Sequence, residues 1–202
     1  MRKQIIENND LKKTRKKNQY LQKNKAFVQR LKDLSAAELA ILRRCNKNPL
    51  EEPRLFSVLG KLGALNNYNH ALIGCLFAVY HKAEELPKYL ENYNFGKAFR
   101  NAYDPKNEKA DIRFRAILTA SSRDTFTYRF RQAVRLMKSK DEPIDFSELL
   151  SDLNNWSNMR KFIQRKWAEG YYQGFHDHGE EANKNLDDET GYDTEEDYDD
   201  EN

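Results

Sequence analysis

The chain has 202 residues, 33% of them charged and 39% hydrophobic, which is room for one domain or two small ones with a sizeable core and some length outside it. Eight glycines and five prolines are too few for an all-β design full of tight turns. The longest apolar run, Ala71 to Tyr80, is broken by Gly74 and falls far short of the roughly 20 residues of a membrane span.

The first residues, MRKQIIENND, lack the apolar stretch of a secretory signal, so the expected location is cytoplasmic. Residues 1–22 are polar and lysine-rich, with KKTRKK at 12–17, and are expected to form a basic arm, flexible or helical. Helical periodicity starts near Asn24 with Phe27, Val28, Leu31 and Leu34. SAAE at 35–38 has the form of a capping box and opens a helix that places Leu39 and Leu42 inside and Arg43 and Arg44 near its end. Pro53 can open the next helix, RLFSVLGKLG, which stops at glycine. Residues 67–83 are apolar nearly all round and predict a central helix. Cys45 and Cys75 lie in apolar helical contexts without metal-ligand spacing and are expected as buried free thiols.

LPKYLEN predicts a break, NFGKAFRNAY a short helix with Phe95, Ala98, Phe99 and Ala102 on one side, and DPKNEK a loop. Two further helices flank TASSRD, with Ser121 or Ser122 as cap and Asp124 in the first turn. DFSE at 145–148 repeats the capping-box pattern. The last helix is expected over about 158–175, with Met159, Phe162, Ile163, Trp167 and Tyr171 on one face. The fold class is therefore all-α: two small bundles, over 23–92 and 93–176, with a basic arm before them and a disordered acidic tail at 177–202. That tail holds thirteen acids and one lysine, a net charge of −12, so the overall +3 leaves +15 on residues 1–176.

The basic charge concentrates between Lys97 and Lys138: Lys97, Arg100, Lys106, Lys109, Arg113, Arg115, Arg123, Arg129, Arg131, Arg135 and Lys138 face only Asp104, Glu108, Asp111 and Asp124. On the helix that follows Asp124, Phe126, Phe130, Ala133, Val134 and Met137 share one face. Arg131, Arg135 and Lys138 form a second stripe, where like charges cost a few tenths of a kcal/mol per pair. Arginine predominates, and its planar fork matches phosphate oxygens better than an ammonium does. The pattern points to a track for nucleic-acid backbone, which fixes register without reading sequence. Neutralising about five phosphates would give a log K against log salt slope near −3.5 on single strands. Of the interleaved aromatics Phe114, Phe126, Tyr128 and Phe130, Tyr128 lies off the apolar face and is the one expected to be free to stack a base.

Little points to catalysis. His70 and His81 lie eleven residues apart on or beside the buried helix, HDH at 176–178 adjoins the acidic tail, and there is no Gly-rich phosphate loop, HExxH or cysteine pair. No cofactor or metal is expected.

Several segments carry a resemblance: LSAAELAILRRC, NFGKAF, RFRAILTASSRDTFTYRFRQAVRLMKSK, and IDFSELLSDLNNW followed by IQRKWAEGYY. From about Ala26 to Phe175 the chain resembles the CasB family, the small subunit of the type I-E CRISPR Cascade effector complex. The resemblance implies a non-enzymatic, two-lobed subunit, present as two copies beside the other Cascade subunits. It implies a basic surface that supports the crRNA–target duplex and holds the displaced non-target DNA strand, so stabilising the R-loop. Matching segments would assign backbone contacts to Arg43, Arg44, Lys97, Arg113, Arg123, Arg131, Arg135, Arg160, Lys161 and Arg165. Pairing with acids between the lobes stays open for Arg113 and Arg165. Both ends depart from the family in their length. Two other classes compete: a stand-alone helix-turn-helix regulator, which needs an exposed recognition helix at a turn spacing not evident here, and a metal-dependent nuclease.

Overall fold

The apolar run read from the sequence sets the centre of the molecule. In the computed structural model of the chain, which describes residues 19–81, 93–103 and 108–184 and side chains as far as residue 173, every residue from Ala71 to Val79 is buried within one helix. The predicted arm up to residue 18, the LPKYLEN break, residues 104–107 of the DPKNEK loop and the tail from residue 185 lie outside the described residues, as do the side chains of HDH at 176–178.

The described residues form nine α-helices and no strand. Residues 19–32 are helical (α1) and bury Phe27 and Leu31. α2 (Ala36–Arg43) starts at the predicted capping box: Glu38 N–H donates to Ser35 Oγ, and Ser35 N–H to Glu38 Oε2 at 2.8 Å. Two 3₁₀ turns, Pro49–Glu51 and Pro53–Leu55, lead into α3 (Phe56–Leu62), which ends where Gly63 takes φ 68°, a conformation glycine adopts without a Cβ penalty. α4 (Tyr68–Tyr80) is capped by the Asn67 side chain, α5 (Phe95–Ala102) by Asn94, α7 (Arg123–Ser139) by Ser122 and α8 (Phe146–Asn154) by Asp145. α6 is Glu108–Leu118 and α9 is Phe162–Lys184.

α4 packs against α2, α7 and α8, and α7 in turn against α5 and α6. Buried side chains from Phe27 to Tyr171 belong to one cluster, which includes residues on both sides of the predicted 92/93 lobe boundary. Phe95, Phe126, Phe130 and Trp167 pack ring against ring within it, with Phe95 and Phe130 stacked at 4.5 Å between centroids, and half-buried Trp156 lies tilted against Phe126 and Trp167. α5 and α9 approach so closely that a Cβ on Gly96 would lie 1.8 Å from the Trp167 carbonyl oxygen. Asn94 closes the same crossing, accepting from Lys97 N–H and donating Nδ2 to the Lys166 carbonyl at 3.0 Å.

Three expectations change. Glu148 does not reach back to the α8 cap; it pairs with Lys166 at 2.7 Å, beside Asp152, which also accepts from Trp167 Nε1. Met159 is 96% exposed because Asn155–Lys161 is a chain of turns and the helix phase begins only at Phe162, itself half exposed. The last helix continues through Lys184, so helix occupies the first eight residues assigned to a disordered tail. Residues 172–202 separate as their own unit, whose described part is that helical backbone.

Candidate nucleic-acid interface

α7 has three working faces. Phe126, Phe130, Ala133, Val134 and Met137 are buried, as the periodicity required. Tyr128, Gln132, Arg135 and Ser139, at i, i+4, i+7 and i+11, form a stripe along the wall of an open groove of about 1060 Å³, with Arg129 beside them. α6 contributes Arg113 to the other side, the end of α5 supplies Phe99 and Tyr103, and the Asn46–Lys47 loop after α2 completes the rim. Phe99, Ile117 and Ala133 are buried and give the groove an apolar floor.

Lys47, Arg113, Arg129 and Arg135 are all exposed side chains on this groove. None has a carboxylate within ion-pair distance among the described residues. Arg113 is oriented by Tyr103, whose hydroxyl accepts from Nη1 at 3.3 Å and whose ring lies 5.8 Å from the guanidinium carbon. The groove's one acid, Asp124, accepts the Asn48 backbone N–H at 2.6 Å and so pins the loop that carries Lys47.

The third face of α7 explains where other cations go. Arg131, which the sequence placed in the polyanion track, is only 7% exposed. Its Nη1 donates to the Cys45 carbonyl at 2.5 Å and its Nη2 to the Arg43 carbonyl, at the end of α2. Burial first, and then the nearby Arg135 charge, push its pKa below the usual guanidinium value. Lys138 donates to the Val79 and His81 carbonyls at 3.0 and 3.3 Å, and Arg43 Nε to the Ala78 carbonyl at 2.8 Å, so the end of α4 is capped twice. Helix C-termini expose unsatisfied carbonyls and a partial negative charge, which cations neutralise. His81 stands among these groups: burial, then Arg43 and Lys138, lower its pKa and favour the neutral imidazole.

The remaining predicted residues are dispersed. Arg115 pairs with Asp111 at 2.7 Å on its own helix. Arg123 lies over Tyr68, 4.8 Å from the ring centroid, and Lys97 over Tyr93 at 6.0 Å. Arg44 is exposed and Arg100 half-buried. Arg160, Lys161 and Arg165 are exposed at the start of α9, where Arg165 Nη2 donates to the Arg160 carbonyl at 3.0 Å. The structure thus gathers Arg113, Arg129 and Arg135 and adds Lys47, Tyr103 and Gln132, which sequence patterning missed. Gln132 carried a signal, four residues beyond Tyr128. Lys47 carried a weaker one, as the single cation of a polar loop that follows two arginines.

Among the described residues no group of three or more His, Cys, Asp or Glu side chains is placed to hold a metal ion, and no helix is long and apolar enough to cross a membrane. The arrangement can hold polyanion along a cationic rim and present one aromatic ring and one amide to whatever enters.

A family model described as CRISPR-associated protein Cse2 matches residues 38–172. The CRISPR-associated protein Cse2 of Thermus thermophilus is 33% identical over 103 residues, which is 51% of this chain; the match spans 55%, about half, of that relative's length. The crystal structure of CasB from M. ruber superposes with a TM-score of 0.63 at 29% identity, over 79% of this chain and 97% of that one. A chain of a CRISPR RNA-guided surveillance complex shares the fold at a TM-score of 0.59 and 20% identity, over 81% of this chain and 99% of that one.

Proposed function

Given that the chain belongs to the CRISPR-associated Cse2 family, we propose that it is a non-catalytic subunit of an RNA-guided surveillance complex that grips nucleic-acid backbone and stabilises the R-loop. The observation that carries this is the α6–α7 groove, whose Lys47, Arg113, Arg129 and Arg135 lack carboxylate partners among the described residues. Like charges gathered without internal compensation are a standing cost, which phosphates repay by releasing their condensed counterions. R-loop formation exchanges one duplex for another of nearly equal stability, so a few backbone contacts tip it. The ligands are the crRNA–target duplex and the displaced DNA strand, and the further partners are the other Cascade subunits and a second copy of this chain. Arg44, Lys97, Arg100, Arg123, Arg160, Lys161 and Arg165 supply outlying backbone or subunit contacts. Arg131 and Lys138 serve the scaffold through bonds to the backbone carbonyls at and just past the ends of α2 and α4, and Arg43 joins them through its Nε while its side chain stays exposed.

A helix-turn-helix regulator would need α7 to protrude into a major groove. α6 and α7 are joined by only four residues, 119–122, but the polar stripe of α7 lines a concave wall. The deciding experiment is reconstitution of the complex from guide RNA and the remaining subunits, with and without this chain, reading R-loop lifetime. Omission shortens the lifetime, and the Arg129→Glu/Arg135→Glu chain restores it only in part. Full restoration by that variant would place the backbone contacts elsewhere.

A further inference from the structure

We infer that the α6–α7 groove is a subsite for an unpaired nucleotide, its base stacked on Tyr128 and its flanking phosphates on the arginine rim. This rests on the backbone-binding reading above, in which the displaced strand is already unpaired, and adds to it a contact with the base.

Tyr128 is 54% exposed, whereas the other aromatics of α7, Phe126 and Phe130, are 6% and 0% exposed. A phosphate track alone has no use for a bare ring on its wall. In a duplex both faces of each base are stacked and its pairing edge is occupied, so the ring would find no partner there. An unpaired base offers a free π-face of any sequence. One turn beyond Tyr128, Gln132 brings an amide with both donor and acceptor, the minimum needed to meet a base edge without choosing among bases. The cations stand on both sides of that pair, Arg113 across the groove and Arg129 and Arg135 on α7 itself, so phosphates on either side of the base have a guanidinium to reach. Arg113 is held in position by Tyr103. The volume, about 1060 Å³, is that of a generous small-ligand site and admits a nucleotide with its neighbouring phosphates.

The full chain is titrated with a short oligothymidylate and with a strand of the same length and charge whose central nucleotides are abasic, with oligouridylate in parallel to distinguish RNA from DNA. Intact strands bind at least about fivefold more tightly than the abasic strand. Tyr128→Ala removes that gap and leaves the salt slope unchanged, while Tyr128→Phe keeps both. Equal affinity of wild-type protein for intact and abasic strands overturns the base subsite and leaves the backbone reading standing, as does an equal loss on both strands in Tyr128→Ala. Failure to bind any of these strands at low salt overturns both. An oligoglutamate that competes as well as oligothymidylate would assign the groove to an acidic peptide instead.

Discussion

Glu142 follows Asp141, which takes φ 55° in the turn that ends α7. Its backbone N–H donates to the Met137 carbonyl and its own carbonyl accepts the Tyr80 hydroxyl at 2.8 Å, so the turn is fixed in place. The Oε1 atom is thereby buried without a hydrogen-bond partner. Burial raises the carboxyl pKa from 4.5 to about 7. The sign of the linkage follows from which state holds the proton longer. Between pH 4.5 and 7 the folded chain retains a proton that the unfolded chain has lost, so this group's stabilisation is complete below 4.5 and is lost as pH rises through 7. Glu142→Gln keeps the shape and removes the charge. After discounting for partial exposure, the variant is expected to be about 1–2 kcal/mol more stable than the parent above pH 7. The advantage shrinks toward zero as pH falls below 4.5. Denaturant unfolding across that range checks it, and a pH-independent difference would show that the carboxyl is solvated.

At the scale of single elements, α7 separates two roles that its sequence runs together. Arg131 and Arg135 are one turn apart and chemically identical, yet the first is directed at the end of α2 and the second at the groove. Arg131→Met leaves two carbonyls without their donor and is expected to cost about 2–3 kcal/mol in stability, while the salt slope of nucleic-acid binding stays unchanged. Arg129→Ala with Arg135→Ala is expected to do the reverse: little change in stability, and a slope on single strands shallower by about 1.4, as two phosphate contacts go. A reduced slope in Arg131→Met would return that residue to the polyanion face. Caps and cores were legible beforehand because their signals are local: Ser35 with Glu38, Pro53, Gly63, and the apolar run of α4. Arg131 was not, because its acceptors lie 86 and 88 residues away and leave no trace in the periodicity of α7. Gly96 was conspicuous only as part of a motif; its reason, the approach of the Trp167 backbone, is equally non-local. The extension of α9 was missed because apolar periodicity reports burial, whereas Glu180, Glu181, Ala182 and Lys184 favour helix by intrinsic propensity alone.

For the molecule as a whole, the decisive quantity is the distribution of charge between ends rather than its sum. Residues 185–202 carry ten acids and no lysine or arginine, so the +3 of the full chain corresponds to +13 on residues 1–184. Attraction of a polyanion depends on the field of everything within a screening length, about 10 Å at 0.1 M salt, and a covalently attached acidic segment stays at high effective concentration however dilute the protein is. A segment of that charge is expected to compete with single-stranded nucleic acid for the chain's cations, an expectation that truncation tests. Truncation after Lys184 is expected to tighten binding of oligothymidylate roughly three- to tenfold at about 50 mM salt, with the gap closing near 200 mM as screening removes the competitor. Titrations of the full and truncated chains at both salt concentrations decide it. Equal affinities at low salt would mean that the acids act beyond the reach of the groove, and a gap that persists at high salt would mean that they act through folding rather than through charge.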